Sequence, residues 1–272
     1  MAVCALITML VIVTSGYGMA SCKDQPGPGV DWHGCDLSGK DLRGLDLSQA
    51  NLAGANLSSA NLSGAVLVEA KLTGAQMHWT ELSGTNLFGA NLDNANLVGA
   101  IFSGANLKDA SLNSANLTGA VLNGANLVGA SLVGAGLTYA KLTDADLTFA
   151  NLIKVPRLMN HQLRETKSLV GVKLAGRDMS GFDLSGLNLA GADLSRVVLF
   201  NANLDATNLA GAKLIRANLT GASVFDANLS DADLTGANLT DANLTNATLT
   251  RAHLKDANLT NVNLTDVKYQ VL

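Results

Sequence analysis

The chain has 272 residues, of which 48% are hydrophobic, only 4% aromatic and 15% charged, with a net charge of −4. The apolar share comes mostly from Leu and Ala spread along the chain, so it does not describe a membrane protein. The near-balance of 22 acids and 18 bases excludes a surface dominated by one sign of charge.

Residues 1–21 read as a secretory signal. Met1 to Val13 is uncharged and almost wholly apolar, Thr14-Ser15-Gly16 breaks the run, and small residues follow before Lys23. The run has signal-peptide length rather than membrane-spanning length. Three outcomes stay open: cleavage after Ala20, an uncleaved anchor, or cleavage before Cys22. The last follows from Met19-Ala20-Ser21-Cys22, which resembles a bacterial lipobox and would leave a lipid on Cys22. Cys4 departs with the signal, and oxidation of an exported chain is able to pair the remaining Cys22 and Cys35. Cys35 sits at a small inward position, however, and a buried structural Cys there leaves Cys22 free for acylation. Residues 22–34, with Pro26-Gly27-Pro28-Gly29, have the composition of a linker and cap.

Residues 35–154 follow a five-residue rule. Large apolar centres recur from Leu37 to Leu152 over 24 units, all Leu except Met77 and Phe102. A small residue, usually Ala, stands two places before each centre. Asn or Asp lies between the two, Ser or Thr follows the centre, and Gly recurs two places after it, as at Gly54, Gly64, Gly124 and Gly134. A short fixed period means a solenoid whose units bury a core only by stacking. Residues two apart in an extended segment face the same way, so Ala and Leu point inward and their neighbours outward. Gly then supplies a corner where a positive φ is cheap. Gly, Asn and Ser in this abundance exclude a helix.

Residues 155–171 lose the register and predict a short amphipathic helix. Pro156 suits its first turn, and Met159, Leu163, Thr166 and Val170 fall at helical intervals. Residues 172–269 resume the rule with 19 centres from Leu174 to Leu264, Met179 and Val224 being the exceptions. Large residues at the small position, Arg177, Phe182 and Leu187 here and Lys40 and Leu45 earlier, suggest wider coils at each start.

The tandem Ala-Asn/Asp-Leu-Ser/Thr-Gly units, such as Ala50-Asn51-Leu52-Ala53-Gly54 and Ala60-Asn61-Leu62-Ser63-Gly64, resemble the pentapeptide-repeat family. The insertion ending in Lys167-Ser168-Leu169 is similar to insertions of some members. The resemblance implies an all-β fold, a right-handed quadrilateral β-helix with four units per coil. Some members confer quinolone resistance by imitating DNA and binding gyrase.

No convergent chemistry accompanies the repeat. His33, His78, His161 and His253 lie in different segments without metal-ligand spacing, and there is no Walker loop, dinucleotide fingerprint or nucleophile motif. The reading is therefore of a non-enzymatic protein with no cofactor, no metal and no nucleic-acid partner. The Asn-Leu-Ser and Asn-Leu-Thr triplets match a glycosylation sequon only because the repeat generates them. Three functions are compared. A DNA mimic needs a dense acidic surface, which −4 does not supply. A binder of ice or another repetitive surface is suggested by the ranks Asn218/Asn238/Asn258 and Thr220/Thr240/Thr260. The preferred reading is a cell-envelope scaffold, periplasmic, lipid-anchored or secreted, that presents a rod to an unidentified protein partner, with dimerisation open. Outward apolar residues are the candidate contacts: Val68 and Phe88 in one column, Trp79 and Tyr139 in another.

Overall fold

The computed structural model describes residues 22–269, so the signal reading of residues 1–21 and its cleavage site lie outside it. Within that span the backbone pairs with itself at a spacing of one coil. Parallel bridges join Asn51 to Lys71, Asn56 to Gln76, Asn61 to Glu81 and Val66 to Asn86, and the ladders continue at 20-residue steps. Twenty residues are four units, so each coil has four sides. At the ordinary strand spacing of ~4.8 Å, successive coils form a parallel solenoid.

The unit around Leu127 shows why each residue type is needed, because its five N–H groups all find acceptors. Asn126 N donates to Ala105 O of the coil before, and Leu127 N to Asp146 O of the coil after, both at 2.9 Å. Gly129 N donates to Thr148 O at 2.9 Å, and Ala130 N closes the turn onto Leu127 O at 3.0 Å. Only Val128 N has no backbone acceptor. The Asn126 side chain takes that role, with Oδ1 accepting at 3.1 Å. Asn or Asp before the centre is thus a required acceptor, since an orphaned N–H is costly. Gly129 has φ +70°, and every corner repeats this left-handed geometry. Inside, Ala and Leu centres are buried in one continuous column from Trp32 to Leu249.

The two ends differ. The first ladder begins at Asp31, within the stretch read as linker and cap, and Trp32 is an additional buried centre. All four sides of this first coil carry Asp (Asp31, Asp36, Asp41, Asp46), whereas interior coils mostly carry Asn. Asn51 Nδ2 donates to Asp31 Oδ1 at 2.9 Å and Asn56 Nδ2 to Asp36 Oδ1 at 3.0 Å. A coil with none beneath it needs only acceptors, which a carboxylate supplies. At the other end, Leu254 is half-buried and Leu259 and Leu264 are exposed around an apolar hollow.

Cys22 and Cys35 are joined by a disulfide, with their Cα atoms 5.5 Å apart. This corrects the expectation of a lipid on Cys22 beside a free Cys35. A thioether lipid requires the same sulfur that is bonded here, and the bond ties the Pro/Gly stretch back onto the first coil.

The insertion is also shorter than expected. Helix α1 spans Asn160–Arg164, and Pro156 lies in a turn before it. The ladder constrains its length, because Ser168 already pairs with Asp146 and Lys173 with Asn151. These bridges carry two sides across the insertion, so the repeat segments form one rod. Where α1 displaces a strand, Gln162 compensates for lost backbone partners. Its buried side chain donates to Leu137 O at 2.8 Å and Ala140 O at 2.9 Å, and accepts from Met159 N at 2.8 Å. Arg177 occupies an inward position normally held by Ala and donates to Val155 O.

Candidate interaction surface

Outward positions are where members of a repeat array are free to differ, and the corners are the most exposed of them. A corner demands a left-handed residue, which costs a side chain with Cβ ~1–2 kcal/mol relative to Gly. Most non-glycine corners are polar, many of them the Asn and Asp that tolerate this region. Three are aromatic: Trp79 (φ 59°), Tyr139 (φ 60°) and Phe149 (φ 58°). None is buried; their exposures are 66%, 79% and 58%. Burial in the core therefore does not account for aromatic rings at these strained positions.

Trp79 and Tyr139 stand on one corner, separated by Gly99 and Gly119. Trp79 N donates to Val98 O, Gly99 N to Thr118 O and Gly119 N to Thr138 O, which fixes the alignment of successive coils. The indole lies across Gly99, where an added Cβ would come within 2.5 Å of two ring carbons. Gly99 is buried beneath it, while Gly119 is exposed and has nothing above it. Beside this corner runs the ladder Glu81, Ile101, Val121, Lys141, and on its other flank lie His78, Val98, Thr118 and Thr138. Val98, Ile101 and Val121 are half-buried. Val98, Ile101 and Val121 make an apolar strip between the two aromatic residues, rimmed by Glu81, Lys141, His78, Thr118, Asn96 and Asn116. Exposed apolar strips with polar rims mark interaction sites.

Val68 and Phe88 do share a column, with Glu69 N donating to Phe88 O at 2.9 Å. Phe88 is 37% exposed and Val68 half-buried. This column adjoins the Glu69/Gly89 corner, two units around the coil from Trp79. The two candidate pairs therefore lie at opposite corners and do not form one face. Phe149, which the sequence reading missed, stands on that second corner, its ring lying over Gly171. An aromatic residue where the repeat favours Gly was the available signal. Ile101, Val121 and Val98 were also missed, because their proximity depends on knowing the coil length.

The polar ranks of the second segment are saturated internally. Thr220 Oγ1 donates to Asn218 Oδ1 at 2.6 Å, Asn238 Nδ2 to Thr220 Oγ1 at 3.0 Å, and Asn258 Nδ2 to Thr240 Oγ1 at 3.0 Å. Each Thr hydroxyl is thus committed to its neighbours rather than to an external lattice. Acidic corners are interrupted as well. Arg251 grips Asp231 with two hydrogen bonds of 2.6 Å, and Asn261 Nδ2 donates to Asp241 at 3.0 Å. Cys22 is held in its disulfide, and among the described residues no cluster of His, Cys, Asp or Glu is arranged for a metal ion.

A family model described as pentapeptide repeats matches in eight copies, over residues 29–64, 50–87, 85–124, 115–152, 168–205, 192–226 and 227–266. The chain belongs to the pentapeptide-repeat family. It is similar to HetL, a pentapeptide repeat protein involved in heterocyst differentiation regulation in the cyanobacterium Nostoc sp. strain PCC 7120. The identity is 35%, over 84% of this chain and 90% of HetL, with a TM-score of 0.36. A pentapeptide repeat protein of the Arabidopsis thaliana thylakoid lumen is 33% identical over 36% of this chain and 69% of its own, with a TM-score of 0.36. QnrB1, a plasmid-mediated fluoroquinolone resistance protein, is 19% identical over 88% and 89% of the two chains, with a TM-score of 0.23. No curated protein matches. Membership in the family implies the right-handed β-helix for this four-sided rod.

Proposed function

We propose that this protein is a non-enzymatic scaffold of the cell envelope, an exported rod that binds another protein surface through the Trp79–Tyr139 corner. One observation carries the contact surface: aromatic side chains stand exposed at left-handed corners where Gly is cheaper. Strain kept at a site the core does not need points to function, and aromatic residues are frequent anchors of protein interfaces. Export is supported by the apolar segment Met1–Val13 and by the Cys22–Cys35 disulfide, which suits an oxidising compartment.

The test compares affinity capture by wild type with capture by Trp79→Gly/Tyr139→Gly from the native host. Both substitutions place Gly where φ is already positive, so folding is retained. Loss of the captured protein supports the reading; retention of the same protein by the double variant overturns it. Fractionation with thiol labelling tests export, since cytoplasmic protein with free Cys22 and Cys35 contradicts that part.

A further inference from the structure

The Trp79–Tyr139 strip nearly repeats itself when read backwards. Along the corner the order is aromatic, Gly, Gly, aromatic: Trp79, Gly99, Gly119, Tyr139. Along the adjacent ladder it is acid, apolar, apolar, base: Glu81, Ile101, Val121, Lys141, each bridged to the next. On the other flank the match is looser, His78 corresponding to Thr138 and Val98 to Thr118, and beyond them Asn96 is bridged to Asn116. A twofold axis crossing the rod between the coils of Gly99 and Gly119 maps this strip onto itself. We infer that the occupant of the strip is a second copy of this chain, lying side by side and antiparallel to the first.

That arrangement seats every special feature. Glu81 faces Lys141 of the second copy and Lys141 faces its Glu81; neither has an ion-pair partner among the described residues of its own chain. Ile101 meets Val121 twice. The Trp79 indole, raised over Gly99, enters the bare gap above Gly119 of the second copy, next to its Tyr139. Between Trp79 and Tyr139, Gly119 is the corner glycine with space for that ring. A parallel twofold pairing in register would instead oppose Trp79 to Trp79 and Tyr139 to Tyr139 and set the Glu81–Lys141 ladder against the opposite flank, leaving neither charge paired with the other. An isologous contact of this kind closes after two copies and does not propagate into a fibre.

The inference rests on the reading of this corner as a contact surface, and its test is independent of any captured protein. Sedimentation equilibrium of the purified protein across micromolar concentrations should show a monomer–dimer equilibrium. Glu81→Lys and Lys141→Glu should each raise the dissociation constant at least about tenfold, by placing like charges opposite each other at two symmetric points. The combined Glu81→Lys/Lys141→Glu protein should recover the wild-type constant. Trp79→Gly should also yield monomer while keeping the wild-type circular dichroism. A monomer at every concentration overturns the self-pairing, as does a dimer that neither charge reversal weakens, or a double reversal without recovery. If the protein is monomeric and the Trp79/Tyr139 double variant still loses its captured protein, the pairing fails while the scaffold reading stands.

Discussion

The Trp79 corner runs into the second segment as Gly181, Asn201, Gly221, Asp241 and Asn261, on the same left-handed backbone. Trp79 has φ 59°, Asn201 φ 53° and Asp241 φ 59°. The conformational demand is the same, yet the first half meets it with aromatic residues and the second with Gly, Asn and Asp. Asn and Asp are tolerated there because their short side chains are able to bond locally; Asn261 instead bonds across coils to Asp241. The outward columns beside it differ in part, with Val98, Ile101 and Val121 in the first half and mostly linked Asn and Thr in the second, where Phe200 is an exposed exception. One backbone thus carries two surfaces, and at this corner's own positions only the first half departs from what folding requires.

If the halves differ only outside, their cores should respond alike. Leu127→Ala and Leu219→Ala should each cost about 2–5 kcal/mol in denaturant titrations, by leaving a cavity among fully buried neighbours. A several-fold disparity would break the comparison. Corner swaps should give opposite signs. Gly221→Trp should destabilise by about 1–2 kcal/mol from left-handed strain, and more if Asn201, whose side chain covers Gly221, has no room to move. Trp79→Gly should be neutral or stabilising by up to ~1 kcal/mol in thermal melts, offset by the packing lost over Gly99. A clear loss of stability would make Trp79 structural and weaken the interaction reading.

Smaller effects are expected from the polar columns. Thr240→Val removes the hydroxyl that donates to Asn238 Oδ1 and accepts from Asn258 Nδ2, and should cost about 0.5–1.5 kcal/mol. Thr118→Ala in the first half, whose more exposed hydroxyl bonds only Asn116, should cost no more than about 0.5 kcal/mol.

The smallest effect should be on acid stability at the first coil. Hydrogen bonds from the side chains of Ser38 and Ser48 hold Asp36 and Asp46 below the ordinary carboxylate value of 3.8. The Arg43 side chain pulls Asp41 down to about 2. Folded pKa values below the unfolded ones mean a contribution present above pH 3.8 and lost as pH falls towards about 2. These groups are exposed, so the change should be slight. Asp41→Asn should flatten that part of the profile between those limits, and an unchanged profile would remove Asp41 from the account.

Much of this was legible in the sequence because the repeat states it so often. Ala and Leu inward, a polar residue between them and a corner after them follow from residues two apart sharing a face. The reason Asn or Asp stands before the centre was not legible. It emerges only when Val128 N is seen to lack any backbone acceptor other than the Asn126 side chain. The insertion shows the reverse failure. Helical spacing from Met159 to Val170 overstated α1, because local periodicity carries no information about Ser168 rejoining Asp146. Gln162 gave no signal at all, since its partners Leu137 and Ala140 lie more than twenty residues away in sequence.

By itself the sequence determined the solenoid, its inward and outward residues and the place where the register breaks, because a five-residue period permits only one alternation of buried and exposed positions. The tertiary structure decided which residues meet. The coil length of four units sets Trp79 over Gly99, leaves Gly119 bare, aligns Glu81 through Lys141 on one ladder and separates Val68 and Phe88 from Trp79. Closing the coil also determined the fate of Cys22, since no spacing rule distinguishes a free thiol from one returned to Cys35 by the chain's path across the first coil.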